Sequence, residues 1–230
     1  MIRALAVDID GTLTDEHRIL SPLALEALLG ISAPVILTTG NTHCFTRAVS
    51  VLLGTPRIFI AENGGVLSYS EDEMEILADI GVCEEAYQLL SRAFPLKRYN
   101  ASRYRFTDIA LLRNFDVKAA SEYLRQHSLP VEIIDTAFAV HIKDRRVNKG
   151  TGLQMIADRM GLDPGEFAAI GDSMSDAPMF RLAGFRACVG NAVPEIKAIS
   201  DYVAEARYGE GFAEIMRFMV ERGMIQGSQP

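Results

Sequence analysis

Cysteine is scarce in this 230-residue chain: Cys44, Cys83 and Cys188 are its only three, widely spaced and odd in number. None lies in a CxxC or Cys/His pattern, so neither a disulfide framework nor a structural zinc site is expected. That usage fits a reducing, cytoplasmic setting. Basic charge is also short, with 23 Lys+Arg against 30 Asp+Glu, a formal net charge of −7 and no basic tract. Nucleic-acid binding, which depends on neutralising phosphates, is therefore not expected. Long apolar runs are missing too, so no transmembrane helix is expected and no membrane partner. The first apolar run, Ile2 to Val7, is interrupted by Asp8 and carries no cleavage pattern, which argues against a signal peptide. There is no internal repeat and no low-complexity tract.

What is present is ordinary globular composition, 49% hydrophobic and 23% charged, in a chain long enough to bury a sizeable core. Short apolar β runs (Ile2–Val7, Pro34–Thr39, Arg57–Ala61) alternate with helical patterns, one opening at Ser21-Pro22 and another spanning about Thr42–Leu53. Strands alternating with helices imply a parallel sheet with right-handed crossovers. Gly64-Gly65 reads as a hairpin turn leading to a strand over Val66–Tyr69. From about residue 81 the order changes to helix (Glu84–Phe94), long strand (Tyr104–Arg113), helix (Val117–His127) and two strands (Val131–Ile134, Ala137–Ile142) turned at Asp135-Thr136. The alternating pattern resumes at Asn148-Lys149-Gly150, with buried strands over Phe167–Ile170 and Phe185–Val189. The expected fold is α/β: a Rossmann-like parallel-sheet core from residues 1–80 and 148–230, with a small inserted α+β cap over 81–147.

Four strand ends or helix starts carry polar residues of complementary kinds. Asp8 and Asp10 close the first strand, Thr39 the second, Lys149 opens a helix, and Asp172 and Asp176 follow the Phe167–Ile170 strand. In open α/β sheets such elements converge at the carboxyl edge, where ligands bind. Crowded carboxylates need a cation, and hard Mg2+ with its oxygen ligands suits Asp8, Asp172 and Asp176, with the carbonyl of Asp10 as a further oxygen. The chemistry that uses this set is phosphoryl transfer. Asp8 would attack phosphorus, and Asp10, protonated in its acidic surroundings, would serve the leaving group and then water. Thr39 and Lys149 would hold the non-bridging oxygens, helped by N–H groups of the Ile9–Thr12 loop and Gly40. Ser175 reads as the N-cap of a helix beginning at Asp176.

In order and spacing these residues resemble the haloacid dehalogenase superfamily of phosphatases. Asp8-Ile9-Asp10-Gly11-Thr12, Thr39-Gly40, Lys149, and Gly171-Asp172 with Asp176 stand where its four motifs would, and the insert where its cap would. The small cap, Thr39-Gly40-Asn41, Glu62-Asn63-Gly64-Gly65 and Tyr208-Gly209-Glu210-Gly211 are similar to the archaeal phosphoglycolate phosphatases. The resemblance implies Asp8 as nucleophile, Asp10 as acid/base, Lys149 on the substrate phosphate and Asp8, Asp10, Asp172 and Asp176 at a Mg2+ site. The family's fourth motif usually has Asn where Ser175 stands. The substrate so implied is 2-phosphoglycolate, a small phosphorylated metabolite. A sugar-phosphate phosphatase, a phosphomutase and a phosphoacceptor signalling module remain alternatives, and a homodimer is left open. Within the cap, Arg103 and Arg105 would share one strand face as candidates for a substrate carboxylate. His141 reads as a satisfied structural histidine.

Overall fold

The computed structural model describes residues 1–136 and 138–227. In chain order the elements are β1 (Ala4–Asp8), α1 (Pro22–Leu29), β2 (Val35–Thr38), α2 (His43–Leu52), β3 (Phe59–Ala61), β4 (Val66–Ser68), β5 (Met74–Ile76) and α3 (Ile80–Leu90). There follow β6 (Asp108–Leu111), α4 (Val117–Gln126), β7 (Val131–Asp135), β8 (Val140–Asp144), α5 (Lys149–Met160) and β9 (Phe167–Gly171). The chain continues through α6 (Ala177–Phe180), β10 (Phe185–Cys188), α7 (Pro194–Lys197), β11 (Tyr202–Val203) and α8 (Tyr208–Glu221). Among the described residues no helix is long and apolar enough to cross a membrane.

The larger sheet has the order β11-β10-β9-β1-β2-β3-β4-β5. It is parallel from β11 to β3, and β4 and β5 add antiparallel strands at one edge. β1 lies between β2 and β9, so successive crossovers leave it in opposite directions and a crevice opens beyond its carboxyl end. Alternation along β1 divides the interior in two. Leu5 and Val7 join the layer with Phe212 and Ile215 of α8, whereas Ala4 and Ala6 face Leu153 and Ile156 of α5. The small side chains on the second face let α5 lie close. At Gly152 a Cβ would come within 2.9 Å of Ile60 Cγ2.

The smaller sheet, β6-β8-β7, is antiparallel and packs its own core against α3 and α4. Here the structure departs from the sequence pattern. No strand runs from Tyr104 to Arg113; residues Asn100–Tyr104 form a 3-10 turn and β6 starts only at Asp108. Arg103 and Arg105 therefore do not share a strand face. The cause is long-range. The Glu62 carboxylate on the core hairpin accepts from the N–H groups of Phe106 and Thr107 (3.0 and 2.9 Å) and the Thr107 hydroxyl (2.9 Å), which takes that backbone out of any ladder. α3 begins at Ile80, earlier than Glu84, because the Asp79 side chain caps it by accepting from Gly81 N. The β7–β8 turn sits one step later than Asp135-Thr136, closed by Thr136 N to Ala139 O at 2.9 Å; Ala137, expected to open the last strand, lies outside the described residues. The β3–β4 connection is the four-residue loop Glu62–Gly65 rather than a two-residue Gly-Gly turn, since Glu62 N and Asn63 N donate back to Asn41 O and Thr39 O.

Gly64 in that loop has φ +96, and a Cβ there would overlap Asn148 O, just ahead of α5. Gly161 also has a positive φ, +66, but a Cβ there would meet nothing within 4 Å. Gly161→Ala should cost about 1 kcal/mol for the backbone alone; Gly64→Ala adds the clash and should cost at least ~3 kcal/mol by urea unfolding. Equal losses would refute close packing of the hairpin on α5.

Burial, reinforced by Asp108 and opposed by Arg105 and Thr107, pushes the Glu62 carboxyl up to about 7. A raised carboxyl binds its proton more tightly in the folded state, so its stabilising contribution is whole below its unfolded value and is lost as pH rises towards about 7. Comparing wild type with Glu62→Gln, the stability difference should drift by up to ~3 kcal/mol against wild type between pH 4.5 and 7.5. Parallel stability–pH curves from urea unfolding would sink this assignment.

Candidate active site

The carboxyl ends of β1 and β9 bring three acids together. Oxygen atoms of Asp8, Asp172 and Asp176 lie within 4.8 Å of one another. Lys149 completes the group: its Nζ donates to Asp8 Oδ1 and to Asp176 Oδ1, each at 2.5 Å. They come from three places in the chain, the end of β1 (Asp8), the start of α5 (Lys149) and the single loop between β9 and α6 (Asp172 and Asp176), brought together by the sheet order. The Asn148 side chain caps α5 by accepting from Gly150 N and Thr151 N, and this fixes Lys149 as the first helical residue. A cation is the wrong sign for a helix N-terminus. Its two carboxylate partners account for its being there, buried at 1% exposure.

Glycines make room for the acids. Gly11, at φ +86, has no space for a Cβ beside the Asp172 carboxylate, and at Gly171 a Cβ would lie 2.5 Å from Asp176 Cγ. Asp176 Oδ2 also closes its own loop, accepting from the N–H groups of Asp172 and Ser173 at 3.1 and 3.0 Å. This corrects the reading of Ser175 as a helix cap. Ser175 Oγ instead meets Ser173 Oγ at 2.9 Å, and α6 starts at Ala177 with Asp176 in the cap position. The helix is shorter because Asp176 bends back to serve Lys149.

The charges are unbalanced. When all three carboxylates are ionised, the one ammonium leaves two negative charges uncompensated. Burial pushes the Asp8 carboxyl well above its ordinary range; Lys149 opposes this, while Asp176 and Asp172 add to it. Burial and then Asp176 push Asp172 up to about 7. Burial would lower the Lys149 ammonium, but Asp176 and Asp8 together hold it above its usual value. The donor set is all oxygen and anionic, and oxygens across an octahedral Mg2+ stand about 4 Å apart, so the residues fit such an ion. Its two positive charges would match the excess.

Thr39, fully buried, follows β2 where Thr38 pairs with Asp8, so its hydroxyl borders the same edge and accepts from Asn41 N at 3.0 Å. The Asp10 carboxylate stands outside the group of three acids. It accepts from Arg18 Nε at 2.7 Å and Asn41 Nδ2 at 2.5 Å, and Arg18 Nη2 donates to Asn41 Oδ1 at 3.1 Å, closing a ring of three side chains. Sequence reasoning did not single out Arg18; it lies in a loop, without periodicity to mark it. Asn63, beside Gly40, is 2% exposed, and its amide has no hydrogen-bond partner among the described residues.

The cap residues fall elsewhere. Arg105 donates to Asp108 Oδ1 at 2.6 Å and to Gly40 O at 2.8 Å, tying the smaller sheet to the β2–α2 loop. His141 Nδ1 pairs with Asp108 Oδ2 at 3.0 Å and is buried, so it is satisfied structurally. Burial would raise the Asp108 carboxyl, but Arg105 and His141 outweigh it and hold it near 2. Arg103 is exposed and lies over the Tyr104 ring.

The chain is similar to known proteins. A phosphoglycolate phosphatase of Methanothrix thermoacetophila is 54% identical over 98% of this chain and 100% of its own length. One from Methanothermobacter thermautotrophicus is 45% identical over 95% of this chain and 99% of its own. A Thermoplasma acidophilum crystal structure superposes with TM-score 0.85 at 27% identity, covering 95% of this chain and 98% of that one. A family model described as haloacid dehalogenase-like hydrolase matches residues 5–137 and 116–216, taking in Asp8, Asp10, Thr39, Lys149, Asp172 and Asp176. With two near-full-length relatives and a family match over most of its length, the chain belongs to the haloacid dehalogenase-like hydrolases.

Proposed function

We propose that this chain is a Mg2+-dependent phosphatase that hydrolyses 2-phosphoglycolate to glycolate and phosphate through an aspartyl-phosphate on Asp8. The observation that carries the reaction type is the buried contact of Asp8 with Lys149 among Asp172 and Asp176. The substrate rests on the names of the near-full-length archaeal relatives. Residues 1–80 and 148–230 form the catalytic core in this reading, and 81–147 cover it as a cap. The reaction takes place in the cytoplasm on a small metabolite.

A carboxylate oxygen of Asp8 attacks phosphorus, and the ester P–O bond breaks with its electron pair passing to the glycolate oxygen. Asp10 gives that oxygen its proton. Asp10 then takes a proton from water, whose oxygen attacks the same phosphorus; the bond to Asp8 breaks and phosphate leaves. Lys149 and the Thr39 hydroxyl hold the non-bridging oxygens throughout. Asp8, Asp172 and Asp176 would hold Mg2+, with a backbone oxygen of Asp10 beside them, and the ion would neutralise charge on the transferring group. The catalytic work is positioning and electrostatics. A signalling module that keeps its phosphoryl group has no use for an acid/base, the role this reading gives Asp10.

Asp8→Asn should reduce turnover by at least ~10^3-fold while circular dichroism and thermal unfolding stay native-like; activity near wild type would exclude Asp8 as nucleophile. Chelation by EDTA should silence the enzyme and Mg2+ restore it, whereas Ca2+, preferring more ligands and looser geometry, should substitute poorly. Phosphate release that persists after exhaustive chelation would contradict the acid cluster's role. Across a panel of phosphate esters, 2-phosphoglycolate should show the highest kcat/KM; a sugar phosphate in first place would replace the substrate assignment and leave the reaction type standing.

A further inference from the structure

The substrate in this reading has two anionic ends, and the site described so far accounts for only one. Lys149 and the metal ligands serve the phosphate. A carboxylate bonded to the carbon next to the ester oxygen lies about 3–4 Å from that oxygen by ordinary bond geometry. The ester oxygen must itself be within hydrogen-bond reach of its proton donor. A cation that reads the carboxylate must therefore stand next to Asp10.

Arg18 is there, 2.7 Å from Asp10 Oδ1. The other nearby cations are spent. Lys149 is buried between Asp8 and Asp176, and Arg105 is engaged by Asp108 and Gly40 O at 6% side-chain exposure. Arg18 keeps 40% of its side chain exposed, and its Nη1 makes no hydrogen bond among the described residues. The guanidinium lies against two rings, Phe45 from the core at 5.7 Å and Phe138 from the smaller unit at 5.3 Å. Both rings lie within the range of a cation–π attraction, which favours the guanidinium in this position while leaving part of it open to a ligand.

The backbone is built to present it. Arg18 has φ +64, a conformation rarely adopted by a residue with a side chain. The Asp15 carboxylate holds the turn by accepting from His17 N and Ile19 N, both at 2.9 Å, and Arg18 N donates to Asp15 O at 3.0 Å. The loop is anchored on both flanks, through Tyr208 Oη to Glu16 (3.0 Å), Asn191 to Gly11 O (2.8 Å) and Ser21 to Glu210 (2.9 Å). A strained residue held by this many contacts marks a placed side chain.

We propose that Arg18 is the specificity-determining residue of this site, binding the carboxylate of a phosphate ester whose phosphate stands on the carbon next to it. The inference rests on the 2-phosphoglycolate reading and deepens it. Sugar phosphates and alkyl phosphates lack that carboxylate and gain nothing from the contact.

The test compares kcat/KM for 2-phosphoglycolate and for ethyl phosphate, which has a methyl group in place of the carboxylate. The ratio of the two isolates carboxylate recognition from any effect of Arg18 on Asp10. Arg18→Gln should lower the ratio by at least ~30-fold and Arg18→Lys by less, since a charged hydrogen bond is worth this much and lysine keeps the charge without the fork. Glycolate should lose potency as a product inhibitor in Arg18→Gln while inorganic phosphate keeps its own. Arg103→Gln should leave the ratio within about twofold, as expected of an exposed arginine. An unchanged ratio in Arg18→Gln overturns the proposal, even if both substrates slow together, because Arg18 then only holds Asp10. A fall in the ratio with Arg103→Gln alone transfers the role to the cap. A wild-type enzyme active on ethyl phosphate with no preference for 2-phosphoglycolate removes the substrate reading itself, which is distinguishable because the ratio is then near one before any mutation.

Discussion

A buried ammonium is costly, and Lys149 carries one at the N-terminus of α5, where the helix dipole opposes it. Only close carboxylates can hold it there. Asp8 and Asp176 do so at 2.5 Å each, Asp8 from the end of β1 and Asp176 from the loop that leads from the neighbouring strand β9 into α6. The sheet order is thus what makes the lysine tolerable. Gly11 and Gly171 follow from the same requirement, since a side chain at either would collide with Asp172 or Asp176. The acids in turn outnumber the lysine, and that excess is what a divalent cation would answer.

The sequence disclosed this much because the constraints involved are short-range. Apolar runs ending in a carboxylate or threonine, and an Asn-Lys-Gly helix start, depend on neighbours a few residues away. The core strands and the motif residues could be placed from such signals. The insert was harder, because its backbone answers to distant groups. Residues 104–107 have strand-like composition, yet Glu62 takes their N–H groups and prevents a ladder. The Ser175 cap failed for a similar reason: Asp176 is drawn towards Lys149, 27 residues earlier in the chain. Arg18 left no mark because its importance lies in a positive φ and a contact across the crevice, neither of which has a sequence period.

The smaller unit is tied to the core by charge as well as by Glu62. Arg105 and Asp108 are both almost wholly buried, and with His141 they form a group in which each member has a partner. Removing one would strand another in a dry environment, a loss of several kcal/mol in buried pairs generally. Such a group is poorly suited to exchanging partners with a substrate in every turnover. Its contact with Gly40 O instead fixes the unit over the loop that follows β2, next to Thr39.

In the proposed reaction the two ends of the crevice differ in kind. At the phosphate end the cation is 1% exposed and locked between two acids, which suits a group that must meet the same charge in both chemical steps. At the leaving-group end Arg18 is 40% exposed and shares its fork with Asp10 and Asn41. A half-hydrated guanidinium binds a carboxylate with less gain than a buried one, because water competes for it. That weakness would be useful in the proposed reaction, whose first product, glycolate, must depart before water can reach the phosphoryl group. The burial of the first cation and the exposure of the second match what the proposal asks of each end, hold or release.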